Sequence, residues 1–222
     1  MTRVILVVEG QTEEAFVNQV LAPDLSLKQI YVTATRIMTS QSAHRMYKGG
    51  FVNFAHLERD VSRLLASDQK RYVGCIVDLY RLPNSVPGYV QCNAQANGYA
   101  KVNLLHQIWF NHFQSPRFIP FVQLHEFEAL LYADPQSALL VTGSNAVMTA
   151  MTQALVQVGG NPELVNQTPD GAPSKRLLAA FPGYEKVVHG VQIAQQVGIQ
   201  NIQQKCAHFK TWYDKLSALQ AF

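Results

Sequence analysis

The chain has 222 residues, of which 48% are hydrophobic and 15% charged. That is apolar material enough for a substantial core and too little charge for wholesale disorder. The net charge of +3 is too small to demonstrate a nucleic-acid partner and does not oppose one. Three widely spaced cysteines, Cys75, Cys92 and Cys206, form neither a disulfide framework nor a zinc pattern, no apolar segment approaches a membrane span, and the N-terminus lacks a signal-peptide pattern, so a cytoplasmic location is expected.

Residues 4–8, Val-Ile-Leu-Val-Val, are short and apolar on both faces, as a central strand of a covered, mostly parallel sheet requires. Glu9 follows at the strand end, Gly10 allows a sharp turn, and Thr12 is placed to cap a helix starting at Glu13. Glu13 then begins a stripe continued by Phe16, Val17 and Val20. Glu9 and Glu13 are thereby expected at the carboxyl edge of a strand, where open α/β sheets keep their sites. Two close carboxylates repel unless a cation or a proton lies between them. A common strand–turn–helix with acids favouring the helix dipole is the plainer explanation. A phosphate-cradling turn fits less well, because it lacks a glycine series and a following lysine.

Pro23 and Asp24 mark a loop, and residues 30–38 read as a second strand with Arg36 near its end. The polar stretch 40–50 carries His44, Arg45 and Lys48, cations that are either solvated or face a phosphate. Phe51, Phe54, Leu57, Val61, Leu64 and Leu65 recur at helical spacing. Residues 72–77 form another apolar run and end in Asp78, which repeats the opening arrangement, although an Asp after a strand is often a turn residue. A Pro-, Gly- and Asn-rich loop reaches Asn97, and an amphipathic helix is predicted over 99–113. Residues 117–124 give a further strand, after which His125-Glu126-Phe127-Glu128-Ala129-Leu130-Leu131 opens a helix. With Phe127, Leu130 and Leu131 inward, Glu126 and Glu128 turn to different sides. Glu126 is the preferred ligand, Glu128 is a ligand or a solvent-facing residue, and His125 is structural, since Mg²⁺ prefers oxygen.

Beyond Asp134 the pattern is helical, with helices predicted over 146–158, 175–180, 184–197 and 201–219. Lys175 and Arg176 open one of them, either as surface charges or as groups reaching a scissile phosphate. Cys206 and His208 point in different directions on a helix and make no metal pair. Phe209, Trp212, Tyr213 and Leu216 form a packing face. The expected organisation is an α/β core over 1–134 and a helical C-terminal portion over 135–222 packed on it.

Glu9-Gly10-x-Thr12-Glu13, the strand ending in Asp78, and the His125–Leu131 motif together resemble the TOPRIM domain. The resemblance is to a bacterial TOPRIM-like family grouped with the nuclease domains of the overcoming-lysogenization-defect (OLD) proteins. Pro173-Ser174-Lys175-Arg176 and Cys206-Ala207-His208-Phe209 with Trp212 extend it over nearly the whole chain. It implies a parallel-sheet core flanked by helices and divalent metal, Mg²⁺ or Mn²⁺, held by Glu9 and Asp78. Glu13 matches the second glutamate of the OLD-like pattern. Tyr80 stands where a second aspartate belongs, and a phenol is a poor Mg²⁺ ligand, so Glu126 or Glu128 is needed to replace it. The resemblance further implies a DNA or RNA substrate and an AAA- or ABC-type ATPase partner in bacterial phage defence.

Phosphodiester cleavage needs cations to neutralise the attacked phosphate and to activate water. Glu9, Glu13, Asp78, Glu126 and Glu128 are the candidate metal ligands, Lys175 the candidate charge stabiliser, and Lys48 and Arg176 the candidate phosphate contacts. A module that holds Mg²⁺ with a nucleotide and cuts nothing, and a subunit that docks on an ATPase with idle acids, are the competing readings. The sequence fixes no oligomeric state.

Overall fold

The two runs that read as apolar on both faces lie side by side at the centre of a parallel sheet in a computed structural model, which describes residues 1–38, 53–80, 82–165 and 171–222. His44, Arg45 and Lys48 therefore lie outside the described residues. The strands are β1 (Thr2–Val8), β2 (Ile30–Arg36), β3 (Tyr72–Asp78) and β4 (Phe118–Gln123). All pair parallel, in the order β2-β1-β3-β4, with Val8 opposite Ile76 and Asp78 opposite Gln123. The fold is α/β, a four-stranded parallel sheet flanked by helices.

Alternation along the strands feeds two separate cores. Val7, Val73, Cys75, Val77, Phe118 and Val122 face one side, where α3 (Phe54–Ser67), the short α4 (Tyr89–Asn93) and α5 (Gly98–Phe113) cover them. Val4, Leu6, Val8, Ile76, Ile119 and Phe121 face the other side. There they meet α1 (Gln11–Phe16) and the helices that follow β4. Gly74 sits where no side chain fits, because a Cβ would lie 2.6 Å from the Ile119 carbonyl oxygen and 2.7 Å from Leu6 Cδ2.

Two features of the first crossover differ from expectation. The helix begins at Gln11, two residues earlier than Thr12 capping would give, with extended Gly10 before it, and Thr12 is buried within the turn. It also continues through the expected loop at Pro23, by way of a wide π turn over Val17–Leu21, into α2 (Ala22–Ser26). Pro23 falls near the start of α2, where its missing N–H and its ring are tolerated.

After β4 come a 3₁₀ stretch over Phe127–Ala133, then α6 (Pro135–Thr142), α7 (Asn145–Gln157), α8 (Pro173–Ala180), α9 (Val191–Lys205) and α10 (Ala207–Ser217). A π turn over Lys186–Gly190 leads into α9. The helix predicted over 201–219 is broken at Cys206, whose backbone (φ −117°, ψ 88°) is not helical. The break has a specific partner: the buried Glu163 carboxylate accepts from the N–H groups of His208 (3.0 Å) and Phe209 (2.9 Å) at the start of α10. A remote acid thus supplies the cap that no local side chain provides.

The same helix closes the β4 edge. Val122 donates its N–H to His106 Nε2 (2.9 Å) and accepts from His208 Nε2 at its carbonyl (2.9 Å). Two stacked imidazoles thereby occupy edge groups that would otherwise invite another strand. His208 is thus engaged with the backbone of β4.

Candidate functional site

The sheet reverses its order between β1 and β3: the chain leaves β1 for β2 on one side and returns to β3 on the other. Ligands of open α/β sheets bind beyond the carboxyl ends of the strands at such a point. Glu9 follows β1 and Asp78 ends β3, and the Asp78 N–H donates to Glu9 Oε2 at 3.3 Å. Glu13 projects from the first turn of α1 and folds back over Gly10, where a Cβ would lie 3.0 Å from Glu13 Oε2. A side chain at Gly10 would push that carboxylate aside by a few tenths of an ångström, whereas its φ of −144° is open to any residue.

The third acidic pair comes from the segment after β4. Glu126 is extended (φ −84°, ψ 157°) and the 3₁₀ stretch starts behind it, so the regular α-helix assumed for the sequence is absent here. In place of opposite sides, both acids reach one cation: Lys186 Nζ lies 3.0 Å from Glu128 Oε1 and 3.7 Å from Glu126 Oε1. Glu128 is only 1% exposed, which removes the solvent-facing reading. Glu126 Oε2 also accepts from the Ser174 N–H (3.1 Å) and hydroxyl (2.7 Å) at the first turn of α8, where the helix dipole favours an anion.

The electrostatics tie the groups together. Burial, then Glu9, Glu13, Glu128 and Glu126, hold the Asp78 carboxyl well above the usual carboxylate range. Glu13 is raised to about 7 by burial, reinforced by Glu9 and Glu128 and opposed by its own backbone N–H and by Lys186. Glu128 is raised by burial despite Lys186. Burial works against the Lys186 ammonium, yet Glu128 and then Glu126 hold it above its ordinary value. Among the described residues Lys186 is the cation paired with Glu126 and Glu128, and close carboxyls such as Glu13 and Asp78 favour a proton or a cation between them.

The remaining candidates lie around this cluster. Lys175 is exposed, one residue past Ser174, and Arg176 is partly covered and donates from Nε to the Gly171 carbonyl at 2.7 Å. Arg36 pairs with Glu14 at 3.1 Å. Tyr80 is partly exposed just beyond Asp78. Sequence reasoning missed Lys186 and Ser174. The one available signal for Lys186 was a cation at a predicted helix start after Pro182-Gly183, the same signal that drew attention to Lys175.

The donor set is all oxygen, which suits a hard divalent cation in kind. Among the described residues, however, no group of three or more His, Cys, Asp or Glu side chains is drawn together closely enough to hold a metal ion. As arranged, Glu126 and Glu128 hold the Lys186 ammonium. Nor, among the described residues, is any helix long and apolar enough to cross a membrane.

Residues 8–217 match the model of the family described as Domain of unknown function (DUF4276), and the chain belongs to that family. No curated protein matches it. Two solved structures of the C-terminal region of the Xanthomonas campestris pv. campestris OLD protein, phased with mercury and with iodine, are similar at 16% and 15% identity with TM-scores of 0.43 and 0.41. In each case 98% of this chain and 97% of the other are covered.

Proposed function

We propose, for this member of the DUF4276 family, a metal-dependent phosphodiester-cleaving nuclease of TOPRIM type, acting on DNA or RNA with an AAA- or ABC-type ATPase in bacterial phage defence. The observation that carries the proposal is the acidic cluster itself: Glu9, Asp78 and the Glu126/Glu128 pair follow three parallel strands, Glu13 joins them, and Lys186 faces them. Three of these carboxyls, Glu13, Asp78 and Glu128, are held above the usual carboxylate range, which is costly for a fold unless a cation is to be bound. The motif resemblance to TOPRIM and OLD-type nucleases supports the same reading.

In this reading Glu9, Glu13 and Asp78 hold Mg²⁺ or Mn²⁺, with Glu126 or Glu128 in the place left by Tyr80. When bound, the metal supplies Lewis acidity toward a phosphoryl oxygen and an acidified water. The chain's own contribution is positional. Ser174 fixes Glu126, the backbone of Asp78 fixes Glu9, and Lys186 balances Glu128 and can turn to a phosphate once a metal replaces it. Lys175 and Arg176 border Ser174 and would meet the phosphate backbone of an approaching strand, and Lys48 is assigned the same role. The test is nicking of supercoiled plasmid and cleavage of labelled RNA with Mn²⁺, Mg²⁺ or EDTA, with and without the ATPase. Glu9→Gln and Asp78→Asn are each expected to abolish cleavage with the fold retained, and metal-dependent activity that survives Glu9→Gln refutes the assignment.

The second reading, a Mg-nucleotide-binding or regulatory subunit docking on a partner ATPase, draws on Tyr80 in place of an acid and on the Lys186 ion pairs. Tight nucleotide binding without cleavage in the same assays would select it.

A further inference from the structure

Lys186 opens the π turn that leads into α9, and turns of this kind are rare and concentrate at functional sites. Its ammonium stands 3.0 Å from Glu128 Oε1 and 3.7 Å from Glu126 Oε1. Glu126 Oε2 is already engaged by the Ser174 N–H and hydroxyl, which leaves Oε1 to the lysine. The partners differ sharply in burial. The Glu128 side chain is 2% exposed and that of Glu126 13%, whereas the Lys186 side chain is 48% exposed. Its stem thus runs from solvent inward, with the charged end laid against the acids. The field of the ammonium extends to Glu13 and Asp78 as well.

We infer that the Lys186 ammonium is a tethered stand-in for a divalent cation: its ion pairs and a bound metal exclude each other at Glu126 and Glu128, so the metal-free chain is held inactive by its own lysine. This regulation rests on the metal-dependent reading proposed above. The exclusion follows from charge and distance. Two cations cannot share Glu128 Oε1 at contact distance without strong mutual repulsion in a site this buried. The lysine is the partner able to leave, because a flexible four-carbon stem carries its charge back to water by rotation alone. A salt bridge serving only stability has no need of a partner that stays half in solvent, and buried pairs gain little stability in any case. The same pairing accounts for the spread of the acids. Glu126 and Glu128 are drawn to Lys186, and no three acidic side chains among the described residues converge on one point. Once displaced, the ammonium is available to a phosphate, so metal and phosphate binding are coupled and the metal comes first.

The test is calorimetric titration of Mn²⁺ into wild type, Lys186→Met and Lys186→Arg, beside acetylation of wild-type Lys186 with and without Mn²⁺. Acetylation is scored by mass spectrometry against the exposed Lys70. Lys186→Met keeps the stem and loses the charge, and is expected to bind Mn²⁺ at least about tenfold more tightly than wild type. Lys186→Arg keeps a cation and is expected to stay within about threefold of wild type. Mn²⁺ is expected to speed acetylation of Lys186 by at least about threefold and to leave Lys70 unchanged. Should thermal melting show Lys186→Met unfolded, acetylation of the wild type decides alone. Equal or weaker Mn²⁺ binding by a folded Lys186→Met, or unchanged acetylation while Mn²⁺ is bound, overturns the inference and leaves the metal site standing. No Mn²⁺ binding by wild type or either variant overturns the metal site, and the inference with it.

Discussion

Glu13 offers the sharpest test of the electrostatic argument, because one isosteric change removes its charge and leaves its shape. Its carboxyl rises from 4.5 to about 7, mainly through burial. A carboxyl that binds its proton more tightly in the folded state contributes stability that is full below about pH 4.5 and is lost as pH rises through about 7. At roughly 1.4 kcal/mol per unit, the rise corresponds to about 3 kcal/mol. Gln at position 13 mimics the protonated acid at every pH. Urea denaturation of wild type and Glu13→Gln at pH 5, 6, 7 and 8 therefore has a defined outcome. The two proteins have similar stability at pH 5, and the variant becomes more stable by about 2–3 kcal/mol at pH 8. His106, lowered to about 3 by burial, and His208, lowered for the same first reason, destabilise both proteins as pH falls below the ordinary histidine range. Taking the difference between wild type and variant cancels them. Stability curves that stay parallel from pH 5 to 8, or a wild type that gains on the variant, would refute the reasoning.

Lys186→Met should leave the buried Glu128 without its cation, costing about 2 kcal/mol, less than a fully buried pair because the lysine side chain is 48% exposed; thermal melting measures it. Gly74→Ala should destabilise by at least about 1–3 kcal/mol, since the new methyl meets backbone at Ile119 on one side and Leu6 on the other. Glu163→Gln halves the acceptors at the start of α10 and should cost about 2 kcal/mol, with faster amide exchange at His208 and Phe209; unchanged exchange there would show that the remote cap is dispensable.

The sheet was legible in the amino-acid sequence because its signal is local. Residues 4–8 and 72–77 carry apolar side chains on both faces, which only an inner parallel strand can bury, and β1 and β3 are the inner pair. The acids at 9 and 78 were legible for the same reason: a strand that ends in a carboxylate places it at the sheet edge whatever surrounds it. What lies across the edge was not legible. Lys186 and Ser174 come from turns about 50 to 60 residues beyond Glu126 and Glu128, and no spacing rule links such distant positions. The helical period also misdirected Glu128, because the extended Glu126 and the tighter 3₁₀ turn bring two acids to one cation that an α-helix would have separated. The break at Cys206 depends on a buried carboxylate at Glu163, more than forty residues earlier. Strand identity follows from the hydrophobicity of adjacent residues, whereas charge partners, caps and cavities are settled by tertiary packing, which alone decides which distant groups share the low-dielectric interior.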